Sequence, residues 1–122
     1  MASYADTQTK LVVNRVPYFK TGTIVDGATA TIAFDNLTEQ FQVWCIAGAG
    51  GLRIGVTTAG VGASSYITLA LNNSTRPMEA QVKQLVLKAV GADMTYQILA
   101  VLNRSQASTY PDLTTANGFE GV

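Results

Sequence analysis

From about Lys10 to Leu102 the chain reads as short apolar runs divided by turn residues. β-Branched side chains are abundant and a period of 3.6 is almost absent. The pattern predicts strands at 10–16, 19–25, 29–34, 38–47, 52–57, 65–71, 79–90 and 94–102. Alternation assigns their faces, because successive strand side chains point to opposite sides. Phe41, Val43 and Cys45 share one side, as do Leu52, Ile54 and Val56, and Ile67, Leu69 and Leu71. Their opposite sides are mostly Gln, Thr, Arg, Ser and Ala, which fits two sheets packed face to face. The last strand departs from this: Met94, Tyr96 and Ile98 alternate with Leu99 and Val101, also apolar. Its second face is expected to meet a neighbouring chain or a tail.

The connectors favour antiparallel pairing. Asp-Gly in "VDGA" (25–28) is a strong hairpin signal, and "LNNSTRP" (71–77) and "VGAD" (90–93) carry Gly, Asn and Pro punctuation. The glycine cluster "AGAGGLRIGV" (47–56) invites a phosphate-loop reading. Gly48 and Gly50 match the start of G-x-G-x-x-G, but Arg53 stands at the third glycine and an alternating strand follows where the fingerprint needs a helix. No Gly-Lys pair exists for a Walker motif. A hairpin loop is expected there instead, with Arg53 facing outward, free to meet water or a neighbouring subunit. The segment "STRPMEAQVKQLVLKAV" (74–90) is the best helix candidate, although a bulged strand suits its apolar positions equally.

The flanks differ from the middle. Residues 1–9 and 103–122 are polar, with Tyr4, Tyr110 and Phe119 spaced through them. Two readings stand: tails without fixed structure, or arms that lie along a partner with these aromatics as anchors. The expected organisation is an N-terminal arm at 1–9, a sandwich domain at 10–102 and a C-terminal arm at 103–122.

Composition narrows the chemistry. The 122 residues hold eight basic and eight acidic side chains, scattered singly, so no field for nucleic acid or an anionic membrane is expected. Such a neutral, charge-poor chain tends to associate. No apolar stretch approaches the length of about 20 residues that a membrane helix requires, and no export signal is visible. With no histidine and a single cysteine, Ser-His-Asp triads, Cys-His pairs, His-containing zinc sites and thiolate clusters are excluded. Cys45, inside "FQVWCIA", is expected to be a buried apolar residue. Asp26, Asp35, Glu39, Glu79 and Asp93 fall beside turns or strand ends, with nothing that pairs them across a cleft. The expectation is a chain without enzymatic activity, metal or cofactor, an enzyme using carboxylates alone being the residual alternative.

The segment from Phe34 to Leu102 resembles a small β-sandwich of tailed-bacteriophage particles: capsid decoration or cement proteins and related head-fibre or spike modules. The resemblance lies in the order "VDGATATIAF", "EQFQVWCIAG", "LRIGVTTAGVGASSYITLAL", "EAQVKQLVLKAV" and "YQILAVL". It covers a little over half of the chain, and its motifs are structural. What it implies is an all-β, antiparallel, jelly-roll-like β-sandwich of about eight strands, with Leu52, Ile54, Val56, Tyr66, Ile67 and Leu69 in the sandwich. It further implies a homotrimer made in the host cytoplasm that binds the outside of the phage head and bridges major capsid protein subunits. The contact residues expected are Tyr4, Arg53, Tyr110 and Phe119. The alternative is a tail, spike or fibre module that binds a host receptor or glycan, with exposed aromatics such as Trp44 or Tyr66 near a loop surface.

Overall fold

The computed structural model describes residues 15–122. The expected arm at 1–9, with Tyr4, and the first predicted strand up to residue 14 lie outside the described residues. Seven strands follow in chain order: β1 Val16–Ile24, β2 Thr29–Ala33, β3 Asn36–Ala47, β4 Gly51–Gly55, β5 Ile67–Leu69, β6 Gln84–Val90 and β7 Met94–Gln106. One short helix, α1 (Thr58–Gly62), joins β4 to β5, and single 3-10 turns occur at Ala107–Thr109 and Thr115–Asn117.

The strands form two antiparallel sheets, ordered β1-β7-β3 and β2-β6-β4-β5. The all-β sandwich expectation holds, whereas the finer jelly-roll description does not follow from this strand order. The core lies between the sheets. Val43, Leu52, Leu85, Leu87, Met94 and Ala100 are fully buried, and Tyr18 meets Phe34 edge-on at 5.1 Å between ring centroids. The alternation in β3, β4 and β7 predicted these faces correctly. In β5 it held only for Leu69: Ile67 and Leu71 are exposed, because this three-residue strand lies at a sheet edge and ends before Leu71.

The expected hairpins are corrected. The turns at 25–28, 47–51 and 90–93 each carry the chain from one sheet to the other, since β1, β3 and β7 lie in one sheet and β2, β4 and β6 in the other. Two of these corners clasp each other: Gly91 N–H donates to Asp26 Oδ1 and Asp26 N–H donates to Asp93 Oδ1, both at 2.8 Å. Gly48 has φ +113°, and a Cβ there would collide with the Asp93 carbonyl oxygen and Met94 Sδ. The glycine cluster thus serves close passage of two corners rather than a hairpin or a phosphate.

The 74–90 helix candidate is irregular up to Lys83 and strand from Gln84, so the bulged-strand alternative is the nearer one. Residues 72–82 run along the free edge of β3, held by Asn72 N–H to Cys45 O, Thr75 N–H to Val43 O and Met78 N–H to Phe41 O at 2.8–2.9 Å. Buried Thr38 Oγ1 fixes the end of this strip, donating to Ala80 O at 2.7 Å and accepting from Val82 N–H at 3.0 Å.

The C-terminal part also differs from expectation. Strand β7 runs beyond Leu102 to Gln106, because Asn36 of β3 continues the pairing as far as Gln106. Residues 107–122 then fold back over the sandwich instead of extending from it. Ala107 N–H donates to Asp35 O at 2.9 Å, Lys83 Nζ bonds Tyr110 O and Asp112 Oδ1, and Val122 reaches Gly60 of α1.

Candidate functional site

Three surfaces bring together residues that could meet a partner. The first lies under the C-terminal segment. Tyr110 and Phe119, predicted as separate anchors, line one groove of about 160 Å³ with Leu37, Pro111 and Leu113. Lys83 sits at its edge, where its ammonium joins the Tyr110 carbonyl at 2.9 Å and the Asp112 carboxylate at 2.8 Å. Tyr110 is 43% exposed, so its ring is presented to solvent while its backbone is tied to the domain. Sequence spacing alone could not pair Tyr110 with Phe119, because the approach depends on the Thr115–Asn117 turn. There the Thr114 hydroxyl accepts from Asn117 N–H and Gly118 adopts φ +89°.

The second surface is the outer side of the β1-β7-β3 sheet. Register places Phe19, Leu99 and Gln42 on one rung and Thr21, Gln97 and Trp44 on the next. Phe19 is 74% exposed, and a groove of about 270 Å³ runs over β7 between Phe19 and Trp44. Leu99 and Val101, whose apolar character was expected to signal a neighbour, are half-buried on this side. Phe19 is the residue that sequence reasoning missed. Its alternation with Tyr18 and Lys20 was visible, but only the register with β7 sets it beside Leu99.

The third is an open cleft of about 410 Å³ at the sandwich edge, lined by core residues Phe41, Ile54 and Leu85 and by Tyr66, Ile67 and Met78. Arg53 lies near it, but its guanidinium is engaged within the chain. It stacks over the Tyr66 ring at 4.2 Å and donates to Val61 O at 3.1 Å. Arg53 lies on the outward side of β4 as expected, but it is not free: the α1 connection, unforeseen from sequence, brings Val61 to it.

Titration and coordination chemistry add little. Burial pushes the Cys45 thiol above its ordinary value, and burial with the neighbouring Tyr18 does the same to Tyr96. Cys45 is 1% exposed, and a thiol that is buried and held protonated is a poor nucleophile. Among the described residues no three His, Cys, Asp or Glu side chains gather as a metal site, and no helix is long and apolar enough to cross a membrane.

No protein-family model matches the chain, and no curated protein matches it. Two solved structures are similar in outline. A chain from a structure described as Bacillus endospore appendages, a family of disulfide-linked pili, aligns over 75% of this chain and 90% of its own. Its identity is 16% and its TM-score 0.48. The polyketide cyclase RemF from Streptomyces resistomycificus aligns over 93% of this chain and 75% of its own, at 8% identity and a TM-score of 0.45. At these values neither likeness fixes a family or an activity for this chain. The expectation that the chain lacks enzymatic activity is corrected, since an enzyme stands among its structural neighbours. What the missing histidine excludes is narrower, namely His-dependent triads and His-containing zinc sites.

Proposed function

We propose that this chain is a structural protein of a virus particle, attached to the outer surface of the phage head and bridging major capsid subunits. The observation that carries the reading is the joining of Tyr110 and Phe119 in one surface groove with Leu37 and Pro111. Aromatic side chains held on a surface are the kind of anchor on which binding energy concentrates. Their segment is tied to the domain at Lys83 by a pair whose carboxylate partner, Asp112, is 75% exposed. Such a pair contributes little to stability. Tyr110 and Phe119 are presented together on a segment tied to the domain, and the apolar area that a capsid subunit covers there supplies adhesion at about 25 cal/mol per Å².

Co-sedimentation with heads of the virus that encodes the chain tests the proposal. The full chain is expected to pellet with heads, and the double variant Tyr110→Ser, Phe119→Ser to bind at least about tenfold more weakly with its urea midpoint little changed. Undiminished binding by that variant would sink the role given to the groove. Immunogold label on tails or fibres rather than heads would replace the capsid reading with the spike or fibre one.

A further inference from the structure

We infer that the outer face of the β1-β7-β3 sheet is a contact between two copies of this chain, made two-fold through Phe19 and the groove beside Trp44. The charge pattern leads to this occupant. The outward positions of β1 between Pro17 and Thr23, of β7 between Thr95 and Val101, and of β3 between Gln40 and Ile46 carry no acidic or basic side chain. A face of this kind meets its own copy without like-charge repulsion, and it offers nothing to attract nucleic acid or an anionic lipid. Lys20, whose position on β1 alternates with the outward Phe19 and Thr21, is the one charged residue that lines the groove.

The opposite sheet shows the contrast. There Arg53 and Lys88 stand in register on adjacent strands, and stacking two such faces would bring like charges together.

The edges are guarded and the face is not. β1 carries Pro17, which offers no N–H, and Lys20, and both are devices that discourage a further strand from adding to a sheet edge. β5 and β2 are only three and five residues long. A second copy is therefore steered away from edge pairing and toward the face.

The face also holds both halves of a self-complementary fit. Phe19 projects at 74% exposure, and the groove beside it has a volume of about 270 Å³. A cavity of about 150 Å³ accepts benzene, so the groove accepts a phenyl ring. In an isologous pair, Phe19 of each copy enters the groove of the other. Seven residues of β7 span about 24 Å and three strands about 14 Å, which makes the contact small and its association weak and reversible.

Trp44, the single tryptophan, lies in this contact and reports it without any substitution. The full chain is diluted from about 1 mM to about 1 μM while Trp44 emission and sedimentation mass are followed. The expected result is a shift of emission to longer wavelength in step with a change from dimer to monomer mass. Phe19→Asp is expected to raise the dissociation constant at least about tenfold while keeping the native circular dichroism spectrum. A monomer at every concentration overturns the inference. So does a trimer, which needs a different, non-isologous contact, or a mass change that leaves Trp44 emission unmoved. Emission independent of concentration that reddens only when residues 1–14 are removed assigns the face to the chain's own N-terminal segment and overturns it equally. The Tyr110→Ser, Phe119→Ser variant leaves this face intact, so failure of self-association and failure of capsid binding are separately visible.

Discussion

At the scale of single residues, the two groups whose titration burial alters have a consequence that can be measured. Cys45 ordinarily loses its proton near 9.0 and Tyr96 near 10.0, and the fold raises both. The folded chain therefore holds these protons harder than the unfolded chain does. The stability they contribute is complete below pH 9.0. It is lost as pH rises through the raised folded values, by up to about 1.4 kcal/mol per pH unit for each group. Urea unfolding between pH 7 and pH 11 is expected to show a steady midpoint up to about pH 8.5 and a fall beyond it. Cys45→Ala should delay the onset of that fall until Tyr96 begins to titrate. A midpoint that is flat to pH 11 would contradict the burial argument for both groups.

At the scale of elements, the strip at 72–82 depends on Thr38 as much as on its own backbone. The Thr38 hydroxyl donates to Ala80 O and accepts from Val82 N–H in a fully buried position. Thr38→Val keeps the shape and strands both groups, which predicts a loss of about 1–3 kcal/mol, measured as a lowered urea midpoint with unchanged slope. A Val variant as stable as the native chain would show that another group satisfies the Val82 amide. Nothing in the sequence marked Thr38, since a threonine in a half-polar strand looks the same whether it meets water or a buried carbonyl. Alternation, by contrast, made the inner faces of β3, β4 and β7 legible, because Phe41, Leu52 and Met94 repeat with the pleat whatever their partners are. Partnering was not legible. Asp26-Gly27 is a sound turn whether it closes a hairpin or changes sheets, and only the clasp with Gly91 and Asp93, distant in sequence, separates the two. The same limit hid two of the three surfaces. Tyr110 and Phe119 could be singled out as aromatic residues in polar surroundings, whereas the Phe19 face exists only through register with Leu99 and Trp44.

At the scale of the whole molecule, the formal charge is zero and the isoelectric point is near 6.1, so copies approach one another without long-range repulsion at neutral pH. What drives them together on the uncharged face is removal of Phe19, Leu99 and Trp44 from water, and the salt response distinguishes this from charge pairing. Raising sodium chloride from about 50 to about 500 mM shortens the screening length from roughly 14 to roughly 4 Å, which weakens exposed ion pairs and leaves apolar contact nearly unaffected. The dissociation constant, followed by Trp44 emission, is expected to change less than about twofold over that range. Sulfate at equal ionic strength should tighten association, because it is excluded from apolar surface. A pronounced weakening in sodium chloride would instead locate the contact where opposite charges meet, as at the Lys83–Asp112 pair under the C-terminal segment.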